Sequence, residues 1–367
     1  MRKSSAGHER RYVIIADGLL NQHFAKTAYG VMRYGRDNVV AVIDREHAGR
    51  TMQDVAPQLG SAAPIVASLD ETLAFEPTSL LIGVATAGGF SPPNYRPQIL
   101  AAIDRGLEIV SGLHALLADD AEFVTRAERS GARLWDVRVP PADLGVFSGA
   151  AYNVPQPVVL AVGSDCAVGK MSVMLEVERA ANREQRNAEF VATGQTGILI
   201  AGDGIAVDRV ISDFAAGSAE RLVTAADPSL VTLVEGQGSI FHPAYAPVTF
   251  GLLLGSAPDL LVFCHDASRS SILGFDVAIP NLRTLIDAHE AYLRSIKPAT
   301  CVAVALNTSQ LDEDAAREII ASTARDTGLP ATDPVRYGAD ELWQAIVDAL
   351  PQVAKNNGGR SRDVEKT

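Results

Sequence analysis

Short runs of β-branched and aliphatic residues alternate with longer amphipathic stretches along almost the whole chain. Nothing else narrows the fold as much, because strand–helix repeats of this kind close into a parallel sheet layered with helices. In the first half the strand-like runs are Arg11–Ala16, Asn38–Ile43, Pro64–Ala67, Leu80–Val84 and Leu107–Val110, separated by helix-like segments such as Ala25–Tyr34 and Pro97–Arg105. A further run, Arg133–Val139, ends at Pro140–Pro141, where neither helix nor strand continues easily. The segment Ala142–Gln156 is rich in Gly, Ala and Pro and reads as a linker. The pattern then restarts with Pro157–Val162, Glu189–Thr193, Ser229–Val234, Asp259–Cys264 and Thr300–Leu306. Most of these runs are near-continuously apolar, as strands buried on both faces should be. Helical stretches follow at Met171–Asn187, Leu282–Ser295, Glu313–Thr327 and Ala339–Leu350. The expected layout is a flexible N-terminus (1–10), an α/β domain (11–141), a linker (142–156), a second α/β domain (157–352) and a flexible C-terminus (353–367).

Composition agrees with two folded domains. A 367-residue chain with 47% hydrophobic and 21% charged residues is neither disordered nor a single small core. Lys plus Arg is 32 against 44 Asp plus Glu, a net charge of −12. Without a clustered basic run away from the ends, such a chain repels a nucleic-acid backbone. Cys166, Cys264 and Cys301 make neither a disulfide framework nor a Cys-rich zinc site, and no His-x₃-His or His-Glu-x-x-His pattern occurs. The start, Met1–Arg11, is charged without an apolar stretch behind it, and runs such as Val248–Gly255 are too short to span a bilayer. The expectation is a cytoplasmic protein acting on a small molecule, with no nucleic-acid or membrane partner and with homo-oligomerisation left open.

The segment with most chemistry is Val158–Val162 followed by Gly163-Ser-Asp-Cys-Ala-Val-Gly169-Lys170-Met171-Ser172 and a helical stretch. A strand, a Gly-bounded loop and a lysine at a helix start are what phosphate binding needs. Glycines let backbone N–H groups turn inward, the helix N-terminus adds partial positive charge, and Lys170 adds a full one. The whole segment Gly163, Ser164, Asp165, Cys166, Ala167, Val168, Gly169, Lys170, Met171 and Ser172 is therefore the candidate cofactor cradle. Five residues rather than the common four separate the glycines, and Met171 stands where Ser or Thr is usual, which leaves Ser172 as the hydroxyl for Mg²⁺. The run Ser229–Val234 ends in Glu235-Gly236-Gln237-Gly238. A carboxylate at such a strand end is a candidate metal ligand, water-positioning group or turn cap.

These stretches resemble the phosphate loop and acidic strand of dethiobiotin synthetase and its P-loop relatives. More closely, the chain resembles the DUF1611 family, through Ala25-Lys-Thr-Ala-Tyr-Gly30, Val42-Ile-Asp44, Gly163–Ser172, Gly194-Gln-Thr-Gly197, Glu235-Gly-Gln-Gly238 and His242-Pro243, from Arg11 to about Leu350. The resemblance implies a Rossmann-like N-terminal domain joined to a P-loop C-terminal domain. Through the family's characterised branch it further implies acetyl-CoA-dependent N-acetylation of D-glutamate. The dethiobiotin synthetase resemblance implies an adenine contact at Asn307, and the likeness to P-loop relatives implies substrate or metal-linked water near Gln195, Thr196, Asp203 and Asp208.

Those last four residues have a plain alternative in turn chemistry, and Asp208 in capping a helix from about Arg209. His242 is a candidate acid/base or a structural histidine of a Pro-containing loop. His265-Asp266 closes the strand Asp259–Cys264 at the ligand edge of an open parallel sheet, and Arg269 beyond it is a candidate for holding a substrate carboxylate, or a surface arginine. Cys166 is an activated thiolate or a small filler, and is not proposed as a nucleophile. In the first domain Asp44 ends a second strand as a ribose-binding acid would, but the loop Asp17–Thr27 lacks Gly-x-Gly-x-x-Gly. Three functions are compatible with these residues. The first is a transferase on a glutamate-like amino acid using acetyl-CoA, with Glu235, His242 and Asp203 catalytic and Gln195, Thr196 and Arg269 on substrate. The second is an ATP–Mg²⁺ kinase or ligase with Ser172 and Glu235 on the metal. The third is a nucleotide-binding regulator.

Overall fold

The computed structural model describes residues 10–21 and 24–360. The expected flexible ends, 1–10 and 353–367, therefore lie partly outside the described residues. Within them, the last helix, Asp340–Arg360, continues well past the expected end at Leu350. The chain forms two compact units: Met1–Pro141 with Gly194–Arg209, and Ala142–Thr193 with Val210–Thr367.

The first unit contains β1 (Arg11–Ile15), β2 (Asn38–Ile43), β3 (Ile65–Val66), β4 (Ser79–Ile82), β5 (Glu108–Ser111) and β6 (Leu134–Asp136). All pair in parallel, in the order β3-β2-β1-β4-β5-β6. This is a doubly wound, Rossmann-like sheet whose order reverses between β1 and β4. Val13, Ile14, Ile15, Leu80 and Leu81 at its centre are fully buried. Gly83, just past β4, lets this strand end approach the helix Lys26–Tyr34, since a Cβ there would run into Ile14 and Ala28.

The second unit contains β7 (Val158–Gly163), β8 (Ala188–Val191), β9 (Val231–Val234), β10 (Leu260–Asp266), β11 (Thr300–Asn307) and β12 (Ala331–Thr332). These strands are also all parallel, in the order β12-β11-β10-β7-β9-β8. Every residue of β7 is buried between β9 and β10, so the loop that leaves it starts from the middle of the sheet. The α/β class and the two parallel sheets are as the alternation predicts.

Several elements differ from expectation. Residues 194–209 group with the first unit although they lie within 157–352. Gln195–Ala201 is a helix rather than an open loop, and Asp208 lies inside the short 3-10 turn Val207–Arg209 rather than at the cap of the next helix, which starts at Ser212. The helices Ser212–Thr224 and Ala246–Ser256 escape periodicity for a physical reason. They meet through small residues, with Gly255 against the Ala216 carbonyl and Gly251 against the Ala215 side chain, so no amphipathic stripe of large side chains is needed. The segment Ala142–Gln156 is packed rather than a bare linker: Ala151 is buried, and the Glu220 carboxylate accepts from the Ser148 and Ala151 N–H groups. Among the described residues no helix is long and apolar enough to cross a membrane.

Candidate functional site

The phosphate loop runs from the end of β7 into the helix Lys170–Ala181. Gly163 is required because a Cβ there would stand 2.6 Å from the Cys264 carbonyl oxygen on β10. Ala167 (φ +54°) and Gly169 (φ +98°) both take left-handed backbone, which folds the loop back over the helix start. No side chain caps that helix, and its first bond back to the loop is from the Val173 N–H to the Gly169 carbonyl. The N-terminal end is thus left to polar groups from outside the chain. Lys170 is 5% exposed, and its Nζ donates to the Asp165 carbonyl oxygen at 2.7 Å. Burial lowers its pKa from the ordinary lysine value.

Asp165 organises the loop from beneath. Its buried carboxylate accepts from the Cys166 N–H (2.7 Å), the Leu273 N–H (2.8 Å) and Arg269 Nη1 (3.1 Å). The same guanidinium donates to the carbonyls of Cys166 (2.8 Å) and Ala167 (3.4 Å), and its Nε lies 3.5 Å from Asp266. Two loop carbonyls are thereby drawn toward Arg269. Arg269 is expected on a substrate carboxylate from sequence; in the structure its donors brace the loop. Ser164 is held by His265 (Oγ to Nδ1, 2.8 Å), and burial lowers the pKa of that imidazole. Asn307, at the end of β11, is tied to Asp266 through its amide and to the Ser309 N–H through its oxygen.

Glu235 follows β9 directly. Its Oε2 accepts from the Thr193 N–H at 2.9 Å, while its carbonyl accepts from the Thr193 hydroxyl at 2.8 Å. Gln237 holds Thr193 from the other side, at 2.6 Å from its carbonyl. Gly236 is essential to this corner, since a Cβ would collide with the Ala161 carbonyl of β7 and stand 3.0 Å from Lys170 Cδ. Glu235 therefore sits one residue from the stem of the loop lysine.

His242 is 1% exposed, with its Nδ1 accepting from the N–H groups of Ala244 (3.1 Å) and Tyr245 (3.3 Å). An acceptor at Nδ1 puts the proton of the neutral ring on Nε2, which lies 3.3 Å from the Leu273 carbonyl and 3.8 Å from Asp165. Asp165, Cys166 and His242 bring three ligand-type atoms within 4.8 Å of one another. They do not fit a metal: an ion on Nε2 would need Nδ1 to carry a proton toward two N–H donors, whereas ligating histidines donate from the second nitrogen. Burial, reinforced by Asp165, raises the Cys166 thiol pKa, the opposite of an activated thiolate.

The remaining expected site residues lie in the first unit. Gln195 donates to Thr27 Oγ1 (3.1 Å) and accepts from Arg138 Nε (2.9 Å); Thr196 meets Thr27 at 3.2 Å. Asp208 is ion-paired with Arg138, and Asp203 is exposed, accepting only from the Gly204 N–H among the hydrogen bonds seen. Arg138 and Thr193 are the polar residues that sequence does not single out for these roles, because only folding brings them to Gln195 and Glu235. At the ligand edge of the first sheet, Asp44 is taken up by the Gly18 N–H (2.7 Å) and His47 (2.5 Å), and Asp17 by Arg45 and Asn94. Two carboxylates committed internally, without a glycine fingerprint, do not fit a dinucleotide there.

Fold and loop define the class: a P-loop α/β unit carried on one chain with a Rossmann-like unit. The chain belongs to the DUF1611 family, whose models match residues 145–343 (domain of unknown function DUF1611_C, P-loop domain) and 45–140 (DUF1611_N, Rossmann-like domain). A D-glutamate N-acetyltransferase from Tritonibacter scottomollicae is 36% identical over 94% of this chain and 99% of its own length. Another of that name, from a Pseudoalteromonas species, is 37% identical over 72% of this chain and 80% of its own. The crystal structure of a DUF1611 family protein from Anabaena variabilis has 39% identity and a TM-score of 0.87, covering 92% of this chain and 99% of its own. Both curated relatives carry the name of an N-acetyltransferase.

Proposed function

We propose that this chain is an amino-acid N-acetyltransferase with acetyl-CoA phosphates held on Gly163–Ser172 and a D-glutamate-like acceptor. The observation that carries it is the buried Lys170 at an uncapped helix start, with the loop carbonyls drawn toward Arg269. The name shared by relatives over 94% and 72% of this chain supports the acyl-transfer reading over other P-loop chemistries. The cofactor supplies a thioester. The acceptor nitrogen forms a bond to the acetyl carbon, the carbon–sulfur bond breaks, and the proton lost by nitrogen must leave while the thiol gains one. Glu235 is the group assigned to take that proton, because the Thr193 N–H orients its carboxylate at the end of β9, the strand paired with the loop-bearing β7, whereas the His242 lone pair is already engaged by two N–H groups.

The test is thiol release from acetyl-CoA with D-glutamate, run with and without EDTA. Release that persists in EDTA supports this reading, and Glu235→Gln should lower kcat roughly 10²- to 10⁴-fold. Consumption of ATP that requires Mg²⁺, with no thiol released, would instead establish the kinase or ligase chemistry of Ser172 and Glu235. Ligand binding without turnover on any amino acid would leave a nucleotide-binding regulator.

A further inference from the structure

The second unit exposes large apolar side chains on two segments that both touch the phosphate loop. Tyr245 is 53% exposed and Phe275 41%, and Phe241, Leu273 and Val277 are also exposed. Both segments are tied to Asp165: Leu273 donates its N–H to the carboxylate, and His242 lies beside it. The buried His242 ring forms the floor of this patch, with its centroid 4.6 Å from Tyr245 and 5.3 Å, edge-on, from Phe275. The Phe275 segment is itself shaped, since Ser271 and Ala278 pair as an antiparallel bridge and Gly274 takes φ +83° at its tip. Exposed aromatic groups on an ordered turn, adjoining a charged cradle, mark a ligand surface rather than a random excess of apolar area.

We propose that Tyr245 and Phe275 form a platform for the adenine ring of the cofactor whose phosphates the loop holds. The inference rests on the phosphate-loop reading above, but not on the choice between acetyl-CoA and ATP, because both carry adenine. Continuity selects this occupant. A ligand anchored at Asp165–Ser172 must place the rest of its body against whatever adjoins the loop, and the segment carrying Phe275 is hydrogen-bonded to the loop through the Leu273 N–H. An adenine ring stacks on Tyr or Phe through π-faces without needing polar partners. Asn307, to which resemblance assigns the adenine contact, has its amide and oxygen engaged within the chain.

Calorimetry on the full chain with acetyl-CoA, ATP–Mg²⁺ and ring-free tripolyphosphate tests the proposal. Tyr245→Ala and Phe275→Ala should each weaken the adenine-bearing ligand roughly 5- to 150-fold. Tripolyphosphate affinity should stay at the wild-type value, and Tyr245→Phe should retain the full affinity. Equal weakening of both ligand types would mean that the variants merely disturb the loop, and would overturn the platform. So would unchanged affinity for the adenine-bearing ligand, whether or not sedimentation shows the variants dissociating a wild-type dimer; dissociation would reassign the patch to a second copy of the chain. A wild-type chain that binds none of the three ligands overturns the phosphate-loop reading itself, and the ring site with it.

Discussion

Asp165 and Arg269 set the geometry that Lys170 exploits. A carboxylate buried beneath the loop would oppose the phosphate binding proposed for it, yet here it is spent on the Cys166 and Leu273 N–H groups and on a guanidinium. That guanidinium also holds two loop carbonyls. A lysine keeps the charge at this position but lacks the fork that reaches Asp165, Cys166 and Ala167 together. Arg269→Lys is therefore expected to weaken tripolyphosphate binding about 10-fold or more, while an arginine acting by charge alone would be replaced without loss; calorimetry distinguishes the two. Lys170→Ala should abolish measurable phosphate-ligand binding with the circular dichroism unchanged, since its ammonium contacts only a loop carbonyl among the hydrogen bonds seen. The loop was legible in the sequence because its glycines, lysine and preceding strand are contiguous. The role of Arg269 was not, because its partners lie about a hundred residues away and meet it only through the pairing of β7 with β10.

Elements with large, regularly spaced apolar residues were equally legible, including β2, β11 and the helix Glu313–Thr327. Those that pack through Gly and Ala were not, as Gly217, Gly251 and Gly255 illustrate. Gly236 links element packing to the site, because its missing side chain lets the end of β9 pass the backbone of β7. Gly236→Ala must move one strand or the other, a cost of about 1–3 kcal/mol or more, and should show as a lowered thermal midpoint together with weaker phosphate binding. The helix Leu282–Arg294 contributes a pH dependence. His289 is fully buried, its Nδ1 bonded to the Leu285 carbonyl and its Nε2 without a hydrogen-bond partner among the described residues, and burial holds its pKa at about 4 against the usual 6.5. Between those two values the unfolded chain binds a proton that the folded chain refuses. Stability is thus full above pH 6.5, falls as pH drops toward 4, and stops changing on this account below that; the loss is on the order of 3 kcal/mol at most. Denaturant melts of His289→Phe across this window should show a flatter pH profile than the wild type, and an unchanged profile would assign the titration to another group.

At the scale of the molecule, the chain enters the second unit at Ala142, leaves it at Thr193, and returns at Val210. The stretch between, Gly194–Arg209, belongs physically to the first unit. Gln195 satisfies Thr27 and Arg138, Thr196 also meets Thr27, Asp208 neutralises Arg138, and Arg209 donates to the His114 carbonyl. No sequence signal marks this, because composition shows one continuous α/β pattern from 157 onward and the excursion is only one helix and one turn long. It has a direct consequence for cutting the protein. A fragment ending at Pro141 looks like an intact Rossmann-like domain, with all six strands present, yet it takes Gln195 and Asp208 from the Arg138 guanidinium, which keeps only the Gly112 carbonyl among the hydrogen bonds seen, and takes Gln195 and Thr196 from the buried Thr27 hydroxyl. Leaving such groups unpaired costs about 1–3 kcal/mol each, more for a charge, a large share of the stability of a typical domain. Residues 1–141 alone are therefore expected to unfold at a markedly lower denaturant concentration than the first unit does within the full chain. In the full chain, Asp208→Asn should lower that unit's midpoint in the same direction by a smaller amount. Limited proteolysis with fragment mapping reads both, since the first unit's strands should become cleavable earlier in each case. A 1–141 fragment as resistant as the intact chain would show that Gly194–Arg209 contributes no stability to the unit that contains it.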